Sequence, residues 1–548
     1  MQFKGFSESL GMYRKQSKAV LALVLYCGVL AGCDWVTVAN FAPDGSPPDY
    51  FSSGSSVLSG DGRYLAFSSG ASNLVPGDVN THDDVFVRDM ATGTIERVSV
   101  APDGTDGNQG SNTPSISSDG RYVVFMSYAS NLVLGDTNGQ RDIFMRDMIK
   151  NVTTRISVAT DGTESDGLSS SFSDVISADG RYVVFSSSAS NLVADPPTYC
   201  YFDSDIGKDV CEIGTYLHDT QTGSTSRVNV ASDGTLSNRQ SFVPSISDDG
   251  NHVVFTSRAT NLVPGTTAVV MNVYLRDLQA GTTSLASVSH DGSPSVSEVT
   301  GGATISADGR YVAFTTRGAL VPEDTNNLFD VFLRDTHLGT TSRVSVASDG
   351  SEGNGSSSRP VISADGRFVA FDSFASNLVQ GDDNGAKEPF LHDTLTERTT
   401  ALVRSANGEL GDSGGGGAAF SGDGRYASFT SISENLIDGA GGSVAGVFVT
   451  IVQPVGVHAV SPAVLPKGSV TQVEVTGAGF EAGNTTVLVS NGEVTNVVVL
   501  AEDRLLADVQ VPADAKSGPQ NVVVAKWGGG AGPFTGSSRD CDSCVSFF

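Results

Sequence analysis

The chain has 548 residues, is rich in Gly, Ser, Thr, Val and Phe, and sets 33 Lys and Arg against 61 Asp and Glu, a formal net charge of −28. A surface this acidic repels phosphate backbones, which excludes nucleic acid as a partner. The length allows more than one domain, and after the N-terminus no long helical periodicity is found, which points to an all-β protein.

At the N-terminus, Lys4 to Lys18 form a basic stretch and Ala19 to Val29 an apolar one, too short for a comfortable membrane span. They end in Leu30-Ala31-Gly32-Cys33, which resembles the lipobox of a bacterial lipoprotein signal at all four positions. The resemblance implies lipidation of the Cys33 thiol, cleavage before it, and residence of the mature chain in the bacterial cell envelope, anchored by lipid. Residues 1–32 are then the signal peptide.

From there the chain is built on one repeated unit, seen most plainly as Ile176-Ser177-Ala178-Asp179-Gly180-Arg181-Tyr182-Val183-Val184-Phe185. Its Asp-Gly pair recurs at Asp61, Asp119, Asp179, Asp249, Asp308, Asp365 and Asp423. Asp-Gly between two β-rich runs is a strong hairpin signal, because Gly adopts positive φ without steric cost. A period near 60 residues marks repeated supersecondary units. In the second repeat the β-runs are Pro114 to Ser117, Tyr122 to Ser127, Asp142 to Asp147 and Thr154 to Ala159. The second run is apolar on both faces, so it must be covered on both sides, as stacked sheets would do. Four strands per repeat and seven repeats predict a seven-bladed β-propeller over residues 33–453.

The seventh repeat lacks a fourth strand. Trp35-Val36-Thr37-Val38-Ala39, followed by Asp44-Gly45, matches Arg97-Val98-Ser99-Val100-Ala101 followed by Asp103-Gly104. Val36 to Ala39 is therefore expected to pair with Val447 to Ile451 and close the ring three strands to one, which would leave Cys33 within about 10 Å of the outer strand.

Ser-x-Asp-Gly-Arg-Tyr-Val-x-Phe followed by Asp-Val-Phe-x-Arg-Asp resembles the PD40 (WD40-like) repeat of TolB-type propellers, over residues 35 to 451. That resemblance implies a periplasmic or extracellular propeller that binds other proteins. Some relatives of this type are the propeller halves of peptidases, but the α/β-hydrolase domain those enzymes need is missing here.

The repeats differ in places. The fourth has Asn251-His252 where the others have Arg-Tyr or Arg-Phe, and the third carries extra residues from Asp195 to Gly214 that hold Cys200 and Cys211. Outside the cytoplasm, Cys200 with Cys211 and Cys541 with Cys544 read as two local disulfides; a bridge across the insertion would contribute about 3 kcal/mol. The Cys-x-x-Cys spacing of the second pair also fits redox or metal chemistry. This decorated repeat is the expected partner-binding feature, since loops on rigid scaffolds carry function.

After Ile451 the period stops. Val457-His458-Ala459-Val460-Ser461-Pro462, Thr476-Gly477-Ala478-Gly479-Phe480 and Gly518-Pro519 follow in order and resemble an IPT/TIG domain, which implies an immunoglobulin-like β-sandwich over 454–527 that serves as spacer or binding module. Residues 528–548 are Gly- and Ser-rich and read as a flexible tail.

Four patterns bear on chemistry. Gly411-Asp412-Ser413-Gly414-Gly415 reproduces a serine-protease string, but no His region or nucleophile elbow accompanies it, so it reads as a polar linker. The loop after the second run repeats Asp78/Asn80/Asp84, Asp136/Asn138/Asp142, Asp324/Asn326/Asp330 and Asp382/Asn384/Glu388. Hard oxygen donors two and six apart suit Ca²⁺, whereas the same residues also cap turns through their own backbone. His218 and His392 occupy the Arg slot of an Arg-Asp pair that recurs at Arg88-Asp89, Arg146-Asp147, Arg276-Asp277 and Arg334-Asp335, and no zinc spacing occurs. The expectation is a monomeric, non-catalytic binding or scaffolding protein for envelope partners, with no required cofactor. The alternative is an enzyme or small-ligand or carbohydrate binder using the central pore or the sandwich.

Overall fold

The computed structural model describes residues 36–547, apart from 51, 172–173, 195–199, 204–207, 212, 268, 406–408, 437–445, 453–455, 462–463, 479–484, 490–492, 502–503, 513–517 and 527–538. The signal segment and Cys33 lie outside the described residues. Two compact units are present, one spanning Trp35–Ser405 and Glu409–Val452, the other containing Gln453–Phe548.

The first unit consists of seven four-stranded antiparallel sheets that follow one another along the chain, with no helix among the described residues. In the second repeat the strands are Ser111–Ile116, Tyr122–Ser127, Asp142–Asp147 and Val152–Arg155, in that spatial order. The middle two match the sequence pattern. The first begins earlier than Pro114, because Ser111 and Asn112 pair with Ser127 and Met126 across a bulge at Thr113, whose φ is +49°. The fourth lies earlier than Thr154 to Ala159, because the chain turns at once afterwards: the Val158 N–H donates to the Ile156 carbonyl at 2.8 Å.

Stacking follows from the two-sided second strand. Val123, Val124 and Phe125 are fully buried. Phe125 packs in one cluster with Val57 and Val98 of the preceding sheet, while Val124 packs in another with Val183 and Phe185 of the next. Directly opposite Phe125 in the ladder is Phe144, with ring centroids 5.9 Å apart. The same cross-strand ring pair recurs in all seven sheets, from Phe67–Phe86 to Phe429–Phe448.

The Asp-Gly turn then locks each sheet to its neighbour. The Ser117 hydroxyl donates to Asp119 at 2.6 Å and accepts the Tyr122 N–H at 2.9 Å. Gly120 sits at φ +72°, and a Cβ added there would lie 2.2 Å from the ring of Tyr64 on the preceding sheet. Glycine is thus required both for the backbone and for the space. Gly180 receives Tyr122 in the same way, Gly309 receives His252 of the variant fourth repeat, and Gly62 of the first repeat receives Tyr426 of the seventh. The contact recurs at Gly250 with Tyr182 and at Gly366 with Tyr311, and that of Gly62 with Tyr426 joins the last sheet to the first, as in a β-propeller. In five of the sheets the turn arginine pairs with the Asp that ends the third strand, as Arg121 does with Asp147 at 3.1 and 2.8 Å while stacking over Tyr122; the fourth has Asn251 in that slot, and Arg425 of the seventh turns to Asp423.

Val36–Val38 is the outer strand of the seventh sheet, with Val36 opposite Thr450, Thr37 opposite Val449 and Val38 opposite Phe448. The pairing partner is the one the sequence predicts, but the register differs by three. Phe86 faces Arg97 in the first sheet, so Val38, not Trp35, stands in the Arg97 slot. The Gly45 N–H donates to Ala42 as Gly104 does to Ala101. Counting back from the Asp-Gly turns therefore fixes the register, whereas matching Val36-Thr37-Val38 to Val98-Ser99-Val100 misplaces it.

The second unit holds two four-stranded sheets. One orders Gly456–Ser461, Val470–Ala478, Arg504–Gln510 and Glu493–Ala501; the other Val464–Leu465, Arg539–Phe547, Gly518–Lys526 and Thr485–Val489. Leu505, Ala507 and Val509 are buried and alternate with more exposed neighbours, the pattern of a strand with one covered face. The reading of 528–548 as a tail is corrected here: Arg539–Phe547 pairs antiparallel with Gly518–Lys526. The Gly/Ser-rich residues before it conceal a short run ending Val545-Ser546-Phe547 that has ordinary strand composition.

Candidate functional site

All second strands end at the same end of their sheets, opposite the Asp-Gly turns. The next residue is Gly70, Tyr128, Ser188, Arg258, Arg317, Phe374 or Ile432. Its backbone is pinned by the incoming crossover: the N–H groups of Tyr128, Ser188, Arg258, Phe374 and Ile432 donate to the carbonyls of Gly110, Leu168, Gln240, Ser356 and Gly414 at 3.0–3.3 Å. The side chains there face solvent, and Tyr128, Phe374 and Ile432 are each more than half exposed. In the first repeat Tyr50, also exposed, lies over Gly70, where a Cβ would come 2.9 Å from its ring. Single exposed apolar residues need no explanation; a rim of them at one repeated slot does.

Cations are interleaved with the rim. Arg141 lies over the Tyr128 ring and Arg317 over Phe329, 4.7 Å from its centroid. Arg258 pairs with Glu298, and Lys387 pairs with Asp372 at 2.9 Å. Burial pushes the Asp372 carboxyl up, and the Lys387 charge opposes that shift. The insertion of the third repeat emerges at this same end, since it joins Tyr182–Ser187 to Gly214–Asp219. Its two strands, Cys200–Asp203 and Lys208–Cys211, place Cys200 directly opposite Cys211 in the backbone ladder. Cys541 and Cys544 share one strand, with a register irregularity between them.

The acidic loops are filled from within. Arg155 Nη1 lies 3.3 Å from Asp136, 3.8 Å from Asp142 and 2.8 Å from Glu164. Arg97 stands likewise among Asp78, Asp84 and Asp106, and Arg343 among Asp324, Asp330 and Glu352. The asparagines turn their amide nitrogen, not their oxygen, to the acid: Asn80 to Asp84 and Asn138 to Asp142 at 2.9 and 2.8 Å. Asn326 bonds Asp330 and donates to the Gly353 carbonyl, as Asn138 does to that of Ser165. In these three repeats the carboxylates are answered from within the protein by a guanidinium, which argues against the Ca²⁺ reading of the spacing. Burial, with the neighbouring acid second, pushes Asp78, Asp136 and Asp324 up to about 6. The sixth repeat differs, with Ala401 in the arginine slot. There Asn384 donates to Glu388 at 2.6 Å, burial raises both Asp382 and Glu388, and the Arg404 charge acts against the rise at Glu388. Among the described residues no three His, Cys, Asp or Glu side chains form a set able to hold a metal ion.

The first strands of all seven sheets line a central cavity of about 90 Å³. Asp174 and Asp248, from neighbouring repeats, face into it. Asp174 is half-buried at φ +59°; burial and the Asp248 charge push it up to about 6. Sequence reasoning took these strands as mostly Ser and missed both acids. Aligning the repeats on Asp-Gly would have found them, since the Asp174 slot holds Pro114, Pro244 and Pro360 elsewhere, and the Asp248 slot Gly60, Ser118 and Ala178.

The remaining candidates are structural. The Asp412 carboxylate of the protease-like string accepts the Glu434 N–H at 3.0 Å, as Asn108 accepts that of Ser130. His218 and His392 are buried, lie 2.9 Å from Thr225 and Thr399, and are shifted down by burial. Arg and Asp of the recurrent pair do not bind each other. Asp89, Asp147 and Asp335 take the turn arginines, and Arg88 instead donates to the Phe41 carbonyl at 2.7 Å.

No protein-family model matches the chain, and no curated protein does. Among solved structures the chain is similar to a putative TolB from Agrobacterium tumefaciens at 15% identity, covering 54% of this chain and 81% of that one with a TM-score of 0.31. It is also similar to a periplasmic gluconolactonase from Pseudomonas aeruginosa (16%, 65% and 85%, TM-score 0.32). A third similarity is to a prolyl endopeptidase (11%, 87% and 55%, TM-score 0.43), of whose length the chain covers little more than half.

Proposed function

We propose that this is a lipid-anchored protein of the bacterial cell envelope whose seven-bladed propeller, closed three strands to one, is a non-catalytic platform for other envelope proteins, with an immunoglobulin-like sandwich as a second module. The observation that carries the reading is the rim: large exposed side chains stand at one repeated slot, at the end of the ring where the Cys200–Cys211 insertion also emerges. Loops and element ends on a rigid scaffold are where binding residues sit, and the aromatic and Arg content fits an interface. The reading requires no cofactor, and the arginine-filled loops support that. Affinity capture from solubilised membranes tests it. A protein partner captured by the wild type and lost with Tyr128→Ala plus Phe374→Ala supports the platform; recovery of glycan alone would refute it. The anchor is tested separately by Cys33→Ser, which is expected to move the protein out of the membrane fraction.

A second reading, a small ligand in the central cavity, is favoured by one observation, the Asp174 and Asp248 pair. Asp174→Asn would weaken such a ligand and leave rim binding intact.

A further inference from the structure

We propose that the Asp-Gly end of the sixth, seventh and first sheets lies against the lipid surface that holds the anchor, so that the rim faces away from it. The inference rests on the lipid-anchor reading and names the part of the propeller that this anchor brings to the lipid. Direction follows from strand register. In the seventh sheet Tyr426, beside the Asp-Gly turn, stands opposite Ile451, and Ser431, at the rim end, stands opposite Gly446. Val36 stands opposite Thr450 and Val38 opposite Phe448. The outer strand therefore starts at the Asp-Gly end and runs toward the rim. Cys33 is three residues before Val36, so at about 3.3 Å per residue its lipid is tied within roughly 10 Å of that end. Ile432 on the rim is six residues beyond Tyr426, or about 20 Å along the strand. The tether is shorter than the sheet is tall, so the lipid cannot reach round to the rim. The third strand also ends at the Asp-Gly end, at Ile451, so the chain leaves the seventh sheet without crossing the rim.

The turns at this end are rigid and carry an exposed aliphatic tip. In the sixth sheet the Thr394 N–H donates to the Arg367 carbonyl at 2.9 Å, and Leu395, next along, is 73% exposed. Such a tip can enter the headgroup region without disturbing the sheet. Charge is not what holds this end to lipid. On the turns of the three sheets Arg367 pairs with Asp393, Arg425 with Asp423 and Arg63 with Asp89. That leaves Asp61, Asp365 and Glu397 against Arg398, a small negative excess. Anionic headgroups would not attract it, so the short tether must supply the contact, and added salt should not release it. The rim, about 20 Å further out, is left to partners that stand clear of the leaflet.

The test places the photoreactive residue p-benzoylphenylalanine at Leu395 or at Phe374 in the full lipidated chain. Both proteins are illuminated in membranes, and phospholipid adducts are read by mass spectrometry. The expected result is severalfold more lipid adduct at Leu395 than at Phe374, with the same ratio in high salt. A Gly/Ser linker of roughly 20 residues inserted after Asp34, with a mean reach of about 25 Å, exceeds the height of the sheet. It should erase the difference while the protein stays in the membrane fraction. Equal adducts at the two positions, more at Phe374, a ratio that collapses in high salt, or a difference that survives the linker would overturn the inference. If neither position yields lipid adducts while Cys33→Ser still releases the protein, the orientation falls and the anchor stands. If Cys33→Ser does not release it, the anchor reading falls and takes the inference with it.

Discussion

Arg155→Met asks whether the acidic loops are arginine sites or calcium sites. The guanidinium lies within 4 Å of Asp136, Asp142 and Glu164, and its side chain is only 10% exposed. Methionine keeps most of the side-chain volume and removes the charge, leaving three carboxylates to repel one another in a half-closed site. Breaking a buried ion pair by removing one partner costs about 3–5 kcal/mol. The cost here should fall in the lower half of that range, because Glu164 is on the open side and screened by water. Urea unfolding followed by circular dichroism measures the loss. The same titration with calcium gives the second readout. The Arg155 loop of the wild type should not respond, because the cation already in it is the protein's own, so the calcium response should be larger in the variant. The variant exposes hard oxygens to solvent, and calcium at about 100 times its dissociation constant would return about 2.7 kcal/mol. A calcium response no larger in Arg155→Met than in the wild type, or a loss below about 1 kcal/mol in the variant, refutes the arginine-site argument.

Three further outcomes follow from the same geometry. Phe125→Ala, which empties a fully buried site and removes the ring stacked on Phe144, should cost about 3–5 kcal/mol in urea unfolding; less than about 1 kcal/mol would mean the strand is not covered on both faces. Gly120→Ala should cost about 1–2 kcal/mol for left-handed backbone and a further ~1–3 kcal/mol for overpacking Tyr64. Gly104→Ala, at φ +83° with nothing within 4 Å of the added Cβ, should show only the first cost, so equal losses would disprove the inter-sheet contact. Asp136 is pushed up to about 6 from 3.8, so the folded state holds its proton more tightly than the unfolded one. Its contribution is full below about pH 3.8 and lost as pH rises through about 6; Asp136→Asn should flatten the fall of the urea midpoint over that window, and an unchanged slope would count against the raised value.

Much of the fold was legible because it repeats. Seven Asp-Gly turns set the period, and a strand apolar on both faces forced sheet-on-sheet stacking. The missing fourth strand of the seventh repeat pointed back to the only β-run before the first. What stayed hidden were partners distant in sequence. Asp78, Asn80 and Asp84 look like a calcium loop because the residue that answers them, Arg97, lies on the next strand. The repeats held a clue: the fourth lacks both the acids and the arginine, with Leu285 in its slot. In the third, where Gly214 replaces the acid, Arg227 turns to the Tyr216 hydroxyl at 3.0 Å. The closing register was missed because two Val-x-Val runs look alike to pattern matching, while only the turn that follows them fixes the count.

The contrast between constant and variable slots also bears on function. The second-strand Phe is the same residue in all seven repeats, from Phe67 to Phe429, because every copy fills the same space between sheets and faces the same kind of ring. The slot three residues further on is Tyr128, Ser188, Arg258, Arg317, Phe374 or Ile432, yet its backbone is held in the same way wherever the crossover bond forms. The fold therefore constrains the main chain at this slot and leaves the side chain free. Chemistry that differs from sheet to sheet at a position of fixed geometry is what an asymmetric partner would require of a symmetric ring. The same logic separates the central acids from the loop acids. Asp136 has counterparts in Asp78, Asp324 and Asp382, and in three of the four the acid answers to an internal arginine, so it belongs to the scaffold. Asp174 and Asp248 have no counterpart in any other repeat, and it is their removal, not that of Asp136, that should alter ligand binding in the cavity while leaving the ring intact.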